Sequence, residues 1–396
     1  MKRRQALATI ALGAAGVSLS GRLYAAPPAG PKFLFVFLRG GYDCANAIVP
    51  YSSSLYYESR PTLAIRAPRA DDPAGALAID RDWALAPALR QGLGSLWTDG
   101  QVAFVPFAGT DDVSRSHFET QDDIELGQPA GHDRDYRSGF LARLAAQVTG
   151  ARPIAFTDAL PVSFAGTPDL PSVSIRNVSR TSYDARQREL FDALYAGTPL
   201  QAAVSEGLAL RAQVNEELAQ EMKDSARAAT PPKGFELEAG RIGRLLREQY
   251  SIGFVDLGGW DTHVNEGAAE GTLARNLTSL AQGLVALRTA LGPDWSRTTV
   301  VVASEFGRTF RENGNRGTDH GHGSVYWVLG GGVRGARMAG AQVRVQASTL
   351  FQARDYPVLN NYRSVLAGVF QRLWGLNAES VRNVFPGASP ADLGLV

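Results

Sequence analysis

Five short apolar runs constrain this chain most: "KFLFVFL" (32–38), "QVAFVPF" (101–107), "SIGFVDL" (251–257), "TTVVVAS" (298–304) and "SVYWVLG" (324–330). Each is continuous rather than alternating and rich in β-branched or aromatic residues. Such runs suit strands buried on both faces, as in a parallel sheet covered by helices. Helical spacing dominates Leu200 to Ala226, Leu237 to Glu248, Gly271 to Leu291 and Tyr362 to Trp374. Strands alternating with helices predict an α/β fold, with a mostly parallel central sheet flanked by helices. Residues 50–95 and 150–185 are richer in Pro, Ser and short apolar pieces and are expected to be insertions or sheet-edge elements. A length of 396 residues allows one large domain or two ordinary ones; a single domain over 27–396 is expected.

The polar residues gather at the ends of these runs. "RGGYDCAN" with Asp43 follows the first, and "AGTDDVSRSHF" with Ser116 and His117 follows the second. "GGWDTH" with Asp261 and His263 follows the third, and "EFGR" with Glu305 and Arg308 follows the fourth. "GTDHGHG", with Asp319, His320 and His322, leads into the fifth. In an open α/β sheet, ligands bind beyond the carboxyl ends of the strands, so four of these clusters fall where a site belongs.

Of the five histidines in the chain, four lie in these clusters, and only His132 lies outside them. A spacing of two puts Asp261 and His263, or His320 and His322, on one side of an extended segment. Neutral imidazole with carboxylate is a ligand set for zinc, manganese or iron, whereas calcium and magnesium prefer oxygen throughout. The competing reading for any single histidine is a hydrogen-bonded structural residue. Arg39, Arg115 and Arg308 share these loops; their planar forks match tetrahedral oxyanions, or they tie the loops to their own carboxylates. Ser116 stands where "SHFETQDDIELG" begins a helix, so it is a helix cap, a nucleophile, or both.

Composition narrows the function. A formal charge of +1 and the absence of a Lys/Arg-rich run disfavour nucleic acid as the main partner. One cysteine, Cys44, excludes an internal disulfide framework and cysteine-rich zinc modules. The glycines of "LGGGVRG" lack a following Lys-Ser/Thr pair, which argues against a phosphate-binding P-loop. The opening "MKRRQALATIALGAAGVSLSGRLYAAPPAG" combines Lys2-Arg3-Arg4, an apolar run to about Val17 and small residues at Ala25 and Ala26. That is the layout of a bacterial export signal over 1–26, and the paired arginines point to the twin-arginine machinery and a periplasmic or secreted protein. The run is shorter than the roughly 20 residues of a membrane span, and no later segment is apolar enough for one.

In combination, "LRGGYDCANAIVP", "SRSHFETQDDIELG", "GGWDTH" and "SEFGRTFRENGNRGTDHGHG" resemble an exported bacterial family of unknown function, number 1501 among the named domains of unknown function. That family sits in the alkaline phosphatase-like superfamily. The resemblance implies a metal site at the strand ends and hydrolysis or transfer of phosphate or sulfate esters. It also implies Asp43 as the first metal-binding acid, Ser116 as nucleophile, and Asp261 and His263 as ligands of one metal. "GTDHGHG" is similar to the "GTDHT" segment of phosphopentomutases and cofactor-independent phosphoglycerate mutases, which implies that His320 completes that metal's shell. His322 then joins or orients it. Relatives carry Asp-His where this chain has Glu305-Phe306, and the Cys-x-Pro-x-Arg of sulfatases is absent. One divalent metal, zinc or manganese, is therefore expected rather than two.

Two function classes follow. The first is an exported metal-dependent hydrolase of an anionic small-molecule or glycan ester, with Arg39 or Arg308 holding the oxyanion and His117 beside Ser116 in the catalytic set. The second is a non-catalytic metal-containing protein that binds a glycan or an envelope partner.

Overall fold

The structure is a computed structural model describing residues 30–131, 133–167, 169–173, 193–201, 204 and 234–396. The expected export signal, nearly all of the helix expected over 200–226, and His132 lie outside the described residues.

Strand β1 (Lys32–Leu38) is buried along its whole length because both its faces are covered. Phe33, Phe35 and Phe37 enter one apolar cluster, and Leu34, Val36 and Leu38 enter another. Burying a side chain of this size contributes roughly 1.5–3 kcal/mol, which is why a continuous apolar run holds the centre of a sheet. Short strands β2 (Ile48–Val49), β3 (Leu77–Ala78) and β4 (Ala84–Leu85) form a separate antiparallel sheet; β3 and β4 lie within the first expected insertion and β2 just before it. The central sheet continues with β5 (Val102–Gly109), β6 (Pro153–Ala155), β7 (Ile252–Leu257), β8 (Thr298–Ser304), β9 (Ser324–Leu329), β10 (Arg337–Met338) and β11 (Asn360–Asn361). Its order is β10-β5-β9-β8-β1-β7-β6, with β11 also paired to β5. The fold is mixed α/β with a mostly parallel central sheet, as expected.

The helices of the described residues are α1 (Ser54–Ser59), α2 (Leu93–Thr98), α3 (His117–Leu126), α4 (Phe140–Gln147), α5 (Phe235–Glu248), α6 (Thr272–Leu291), α7 (Tyr362–Trp374) and α8 (Ala378–Val384). Ile242 and Leu246 of α5, with Leu277 and Leu284 of α6, pack on the Leu34 face. Phe140 of α4, Phe370 of α7 and Val384 of α8 pack on the Phe35 face. No helix among the described residues is long and apolar enough to cross a membrane.

One strand departs from a uniformly parallel sheet. β9 runs antiparallel to both β5 and β8, whereas β1 is parallel to β7 and β8. A buried apolar run reads the same in either direction, so its residues do not announce the reversal. The consequence for the site is direct. Because β9 is reversed, its amino end meets the carboxyl ends of the other strands, and "GTDHGHG" reaches the same edge as the other four clusters.

Candidate metal centre at the strand ends

Three histidines from three different loops converge on one carboxylate. His263 Nε2 lies 2.9 Å and His320 Nε2 3.2 Å from Asp261 Oδ1, and His117 Nε2 lies 3.5 Å from Asp261 Oδ2. The Nε2 atoms of His263 and His320 are 3.1 Å apart. The ligand atoms of His117, Asp261 and His320 all fall within 4.8 Å of one another. Gly40, at φ +124°, lets the loop after β1 pass under this group; a Cβ there would stand 2.7 Å from the Asp261 amide nitrogen.

The opposite nitrogen of each ring is engaged. His117 Nδ1 lies 2.8 Å from Glu305 Oε1, His263 Nδ1 3.3 Å from Asp319 Oδ1, and His320 Nδ1 3.0 Å from the carbonyl of Arg115. Carboxylates and carbonyls accept only, so a hydrogen on each Nδ1 satisfies these outer partners, and in that tautomer the Nε2 lone pairs face Asp261. Lone pairs brought together beside a carboxylate repel unless they share a cation. Hydrogen-bonded outer acceptors that fix the tautomer are the usual support of histidine metal ligands. Buried His117 Nε2 has no hydrogen-bond partner among the described residues.

Local electrostatics follow from these partners. The Glu305 carboxylate beside His117 raises the pKa of that imidazole, while burial lowers that of His320. Burial pushes the Glu305 carboxyl up, but bonds from His117 and Gln121 outweigh it and hold it below the ordinary carboxylate value. Asp319 is lowered first by the bond from Asn313. Burial opposes ionisation of Asp261, yet its bond from Arg308 keeps its pKa low.

Several expected site residues stand elsewhere. Asp43 is buried in a two-pronged ion pair with the fully buried Arg60. Glu305 is buried one step back, accepting from Gly40 N (2.9 Å), Gln121 Nε2 (2.8 Å) and Ser304 Oγ (2.8 Å) as well as His117. Among the described residues, Asp319 meets the cluster through His263 Nδ1 at 3.3 Å. His322 is buried with its ring 4.8 Å from Phe351, apart from the cluster, and burial lowers its pKa.

Arg39 gives its donors to Asp256 (2.6 Å), Gln121 (2.8 Å) and Glu125 (2.8 Å). Arg308, its side chain fully buried, bonds Asp261 Oδ1 at 2.7 Å and Thr318 Oγ1 at 3.1 Å. Neither presents a free fork to a ligand. Phe306 fills the floor with its ring 4.9 Å from His117 and 5.1 Å from His320.

Ser116 is the N-cap of α3 with extended backbone (φ −97°, ψ 122°), but its side chain makes no cap hydrogen bond. Arg115 before it is held in the left-handed region at φ +57° by bonds to the buried Asp355 at 3.0 and 2.8 Å. Arg354 shares Asp355 (3.1 Å) and donates to the His320 carbonyl (2.9 Å). Sequence reading missed Arg60, Gln121, Glu266 and Arg354; Gln121 lies inside the "SRSHFETQDDIELG" stretch but carries no signal of its own there, and the roles of all four arise from packing.

The family model described as "Protein of unknown function (DUF1501)" matches residues 31–385. The chain belongs to that family. No curated protein matches it. Among solved structures, the lipoteichoic acid synthase LtaP from Listeria monocytogenes aligns at 9% identity and a TM-score of 0.38, covering 94% of this chain and 78% of that one. Ps i-CgsB in complex with k-i-k-neocarrahexaose aligns at 10% identity and a TM-score of 0.36, covering 91% and 75%. At these values neither likeness bears on the chemistry of this DUF1501 chain.

Proposed function

We propose that this DUF1501 protein is an exported, metal-dependent hydrolase of a phosphate or sulfate ester. The observation that carries the reading is the meeting of three imidazole Nε2 atoms on Asp261, each ring fixed at Nδ1 by an acceptor. His117, His263, His320 and Asp261 would hold one divalent ion; three nitrogens with one carboxylate suit zinc, then manganese, over magnesium or calcium. A bound ion of this kind polarises an ester oxygen as a Lewis acid.

The chain's own residues supply the rest. Ser116 lies at the amino end of a ten-residue helix, where free amides and the helix dipole favour negative charge on oxygen. With no cap bond to make, its hydroxyl is available as nucleophile. A bond forms from Ser116 Oγ to phosphorus or sulfur as the ester's bridging oxygen departs, and the serine proton leaves with the alcohol. Water then cleaves the seryl ester and returns the proton to Ser116. Since Arg39 and Arg308 are held by carboxylates, the positive charge for the ester falls to Arg115 and Arg354, two cations sharing the single carboxylate of Asp355.

A panel of aryl phosphate, phosphodiester and sulfate esters with zinc or manganese tests this. Ser116→Ala should abolish turnover and leave metal content unchanged. Its melting temperature should hardly move, because the roughly 1 kcal/mol of an N-cap bond is not there to lose. Activity that survives the change removes Ser116 from the mechanism. The engagement of Arg39 and Arg308 by carboxylates favours a second reading, a metal-containing protein that binds a glycan or envelope partner without turning it over. Metal-loaded wild type that cleaves nothing in the panel supports that reading.

A further inference from the structure

Two of the loops that form the cluster come from distant parts of the chain and run edge to edge. Thr262 lies between Asp261 and His263, and Thr318 precedes Asp319 and His320. Thr318 N donates to the Thr262 carbonyl (3.1 Å), Glu266 N to the Arg316 carbonyl (2.9 Å), and Asn265 N to the Asn315 carbonyl (3.0 Å). Gly317 permits the approach; a Cβ there would lie 2.3 Å from the His263 carbonyl.

One side chain reaches both loops. Glu266 is fully buried (0%), and its Oε2 accepts from Thr262 Oγ1 at 2.9 Å and from Thr318 Oγ1 at 2.7 Å. The same Thr318 hydroxyl accepts from Arg308 Nε at 3.1 Å, and Arg308 Nη1 holds Asp261 Oδ1 at 2.7 Å. A chain of bonds therefore runs from Glu266 through Thr318 and Arg308 to Asp261, with a second arm through Thr262.

We infer that Glu266 is a positioning residue for the cluster: by bridging Thr262 and Thr318 it sets the separation of Asp261 and His263 from His320. The inference rests on the metal-centre reading, since the separation matters because those atoms share an ion. An apolar residue would fill a fully buried position at less desolvation cost. A carboxyl group here accepts from two threonine hydroxyls that flank the ligands and whose protons would otherwise be buried without this acceptor. Burial first, and then the negative Asp43, hold the Glu266 carboxyl well above the ordinary carboxylate range. Glutamine keeps the size of the side chain and an oxygen acceptor for both hydroxyls.

The experiment uses the full chain, stripped by chelator and titrated with zinc and with cobalt. Glu266→Ala should weaken zinc binding by about 10- to 100-fold and alter the visible cobalt spectrum, whereas Glu266→Gln should keep both close to wild type. A merely structural role predicts a lower melting temperature for the alanine variant with zinc affinity and cobalt spectrum unchanged; that result overturns the inference. Should the alanine variant not fold, Thr318→Val removes one arm of the bridge and should weaken zinc in the same direction; unchanged affinity there overturns the inference too. Wild type that takes up no metal refutes the metal centre instead. The bridge is then read by hydrogen exchange of residues 315–323 in the metal-free protein. Faster exchange in Glu266→Ala than in Glu266→Gln supports it, and equal exchange overturns it.

Discussion

His320 is held on three sides: its Nδ1 by the Arg115 carbonyl, its ring by Phe306, its Nε2 toward Asp261 and His263. His322, two positions on in the same glycine-rich stretch, meets Phe351 instead. That contrast supplies a prediction at the scale of single residues. Alanine at His117, His263 or His320 should each remove most of the bound metal and lower the melting temperature by linkage. His322→Ala should leave metal content unchanged. Elemental analysis of the folded variants checks this, and equal occupancy in all four would place the ion elsewhere. Spacing alone gave His320 and His322 the same standing; only the ring environments separate them.

At the scale of elements, β1 illustrates how one strand serves both core and stability. Its first residue, Lys32, is fully buried and donates to the carbonyls of Leu246 (2.6 Å) and Tyr250 (3.1 Å) at the end of α5. Burial first, and then Arg297, lower its pKa from 10.5 to about 8, against the opposing pull of Asp294 at 3.7 Å. The folded protein thus gives up this proton near pH 8, while the unfolded chain keeps it to about 10.5. Between those values the unfolded state binds more protons, so this group's contribution to stability rises with pH, by at most about 3 kcal/mol across the window. Urea unfolding of wild type and Lys32→Met from pH 7 to 10.5 measures it. The gap should shift toward wild type as pH rises; a constant gap refutes the assignment.

The whole molecule places its chemistry on one rim. Two apolar clusters lie on opposite faces of the sheet, and loops after β1, β5, β7 and β8, with the loop before β9, meet at one edge. The insertion containing β3 and β4 also supplies Arg60, which neutralises Asp43 inside that rim. Export is the prediction that belongs to the chain as a whole. We expect Arg3→Lys with Arg4→Lys to leave the protein in the cytoplasm, because the twin-arginine receptor reads that pair. Fractionation of cells expressing each form checks it, and unchanged periplasmic recovery excludes the route.

The sequence by itself determined the strands, since a doubly covered strand must be apolar throughout. β1 spans the run expected over 32–38, β8 that over 298–304, and α7 the spacing from Tyr362 to Trp374. It also determined which loops carry the polar clusters, because a buried run holds few polar residues along its length. Tertiary structure alone decided the reversal of β9, since apolar character has no direction. It alone decided which charges face one another: Asp43 meets Arg60 across 17 positions, and Arg39 meets Asp256 across 217. Carboxylates and arginines are abundant in these loops, so many pairings satisfy the same sequence. The packed backbone selects one: it draws Asp43 and Arg39 into ion pairs and His322 onto Phe351, and it brings His117, Asp261, His263 and His320 together.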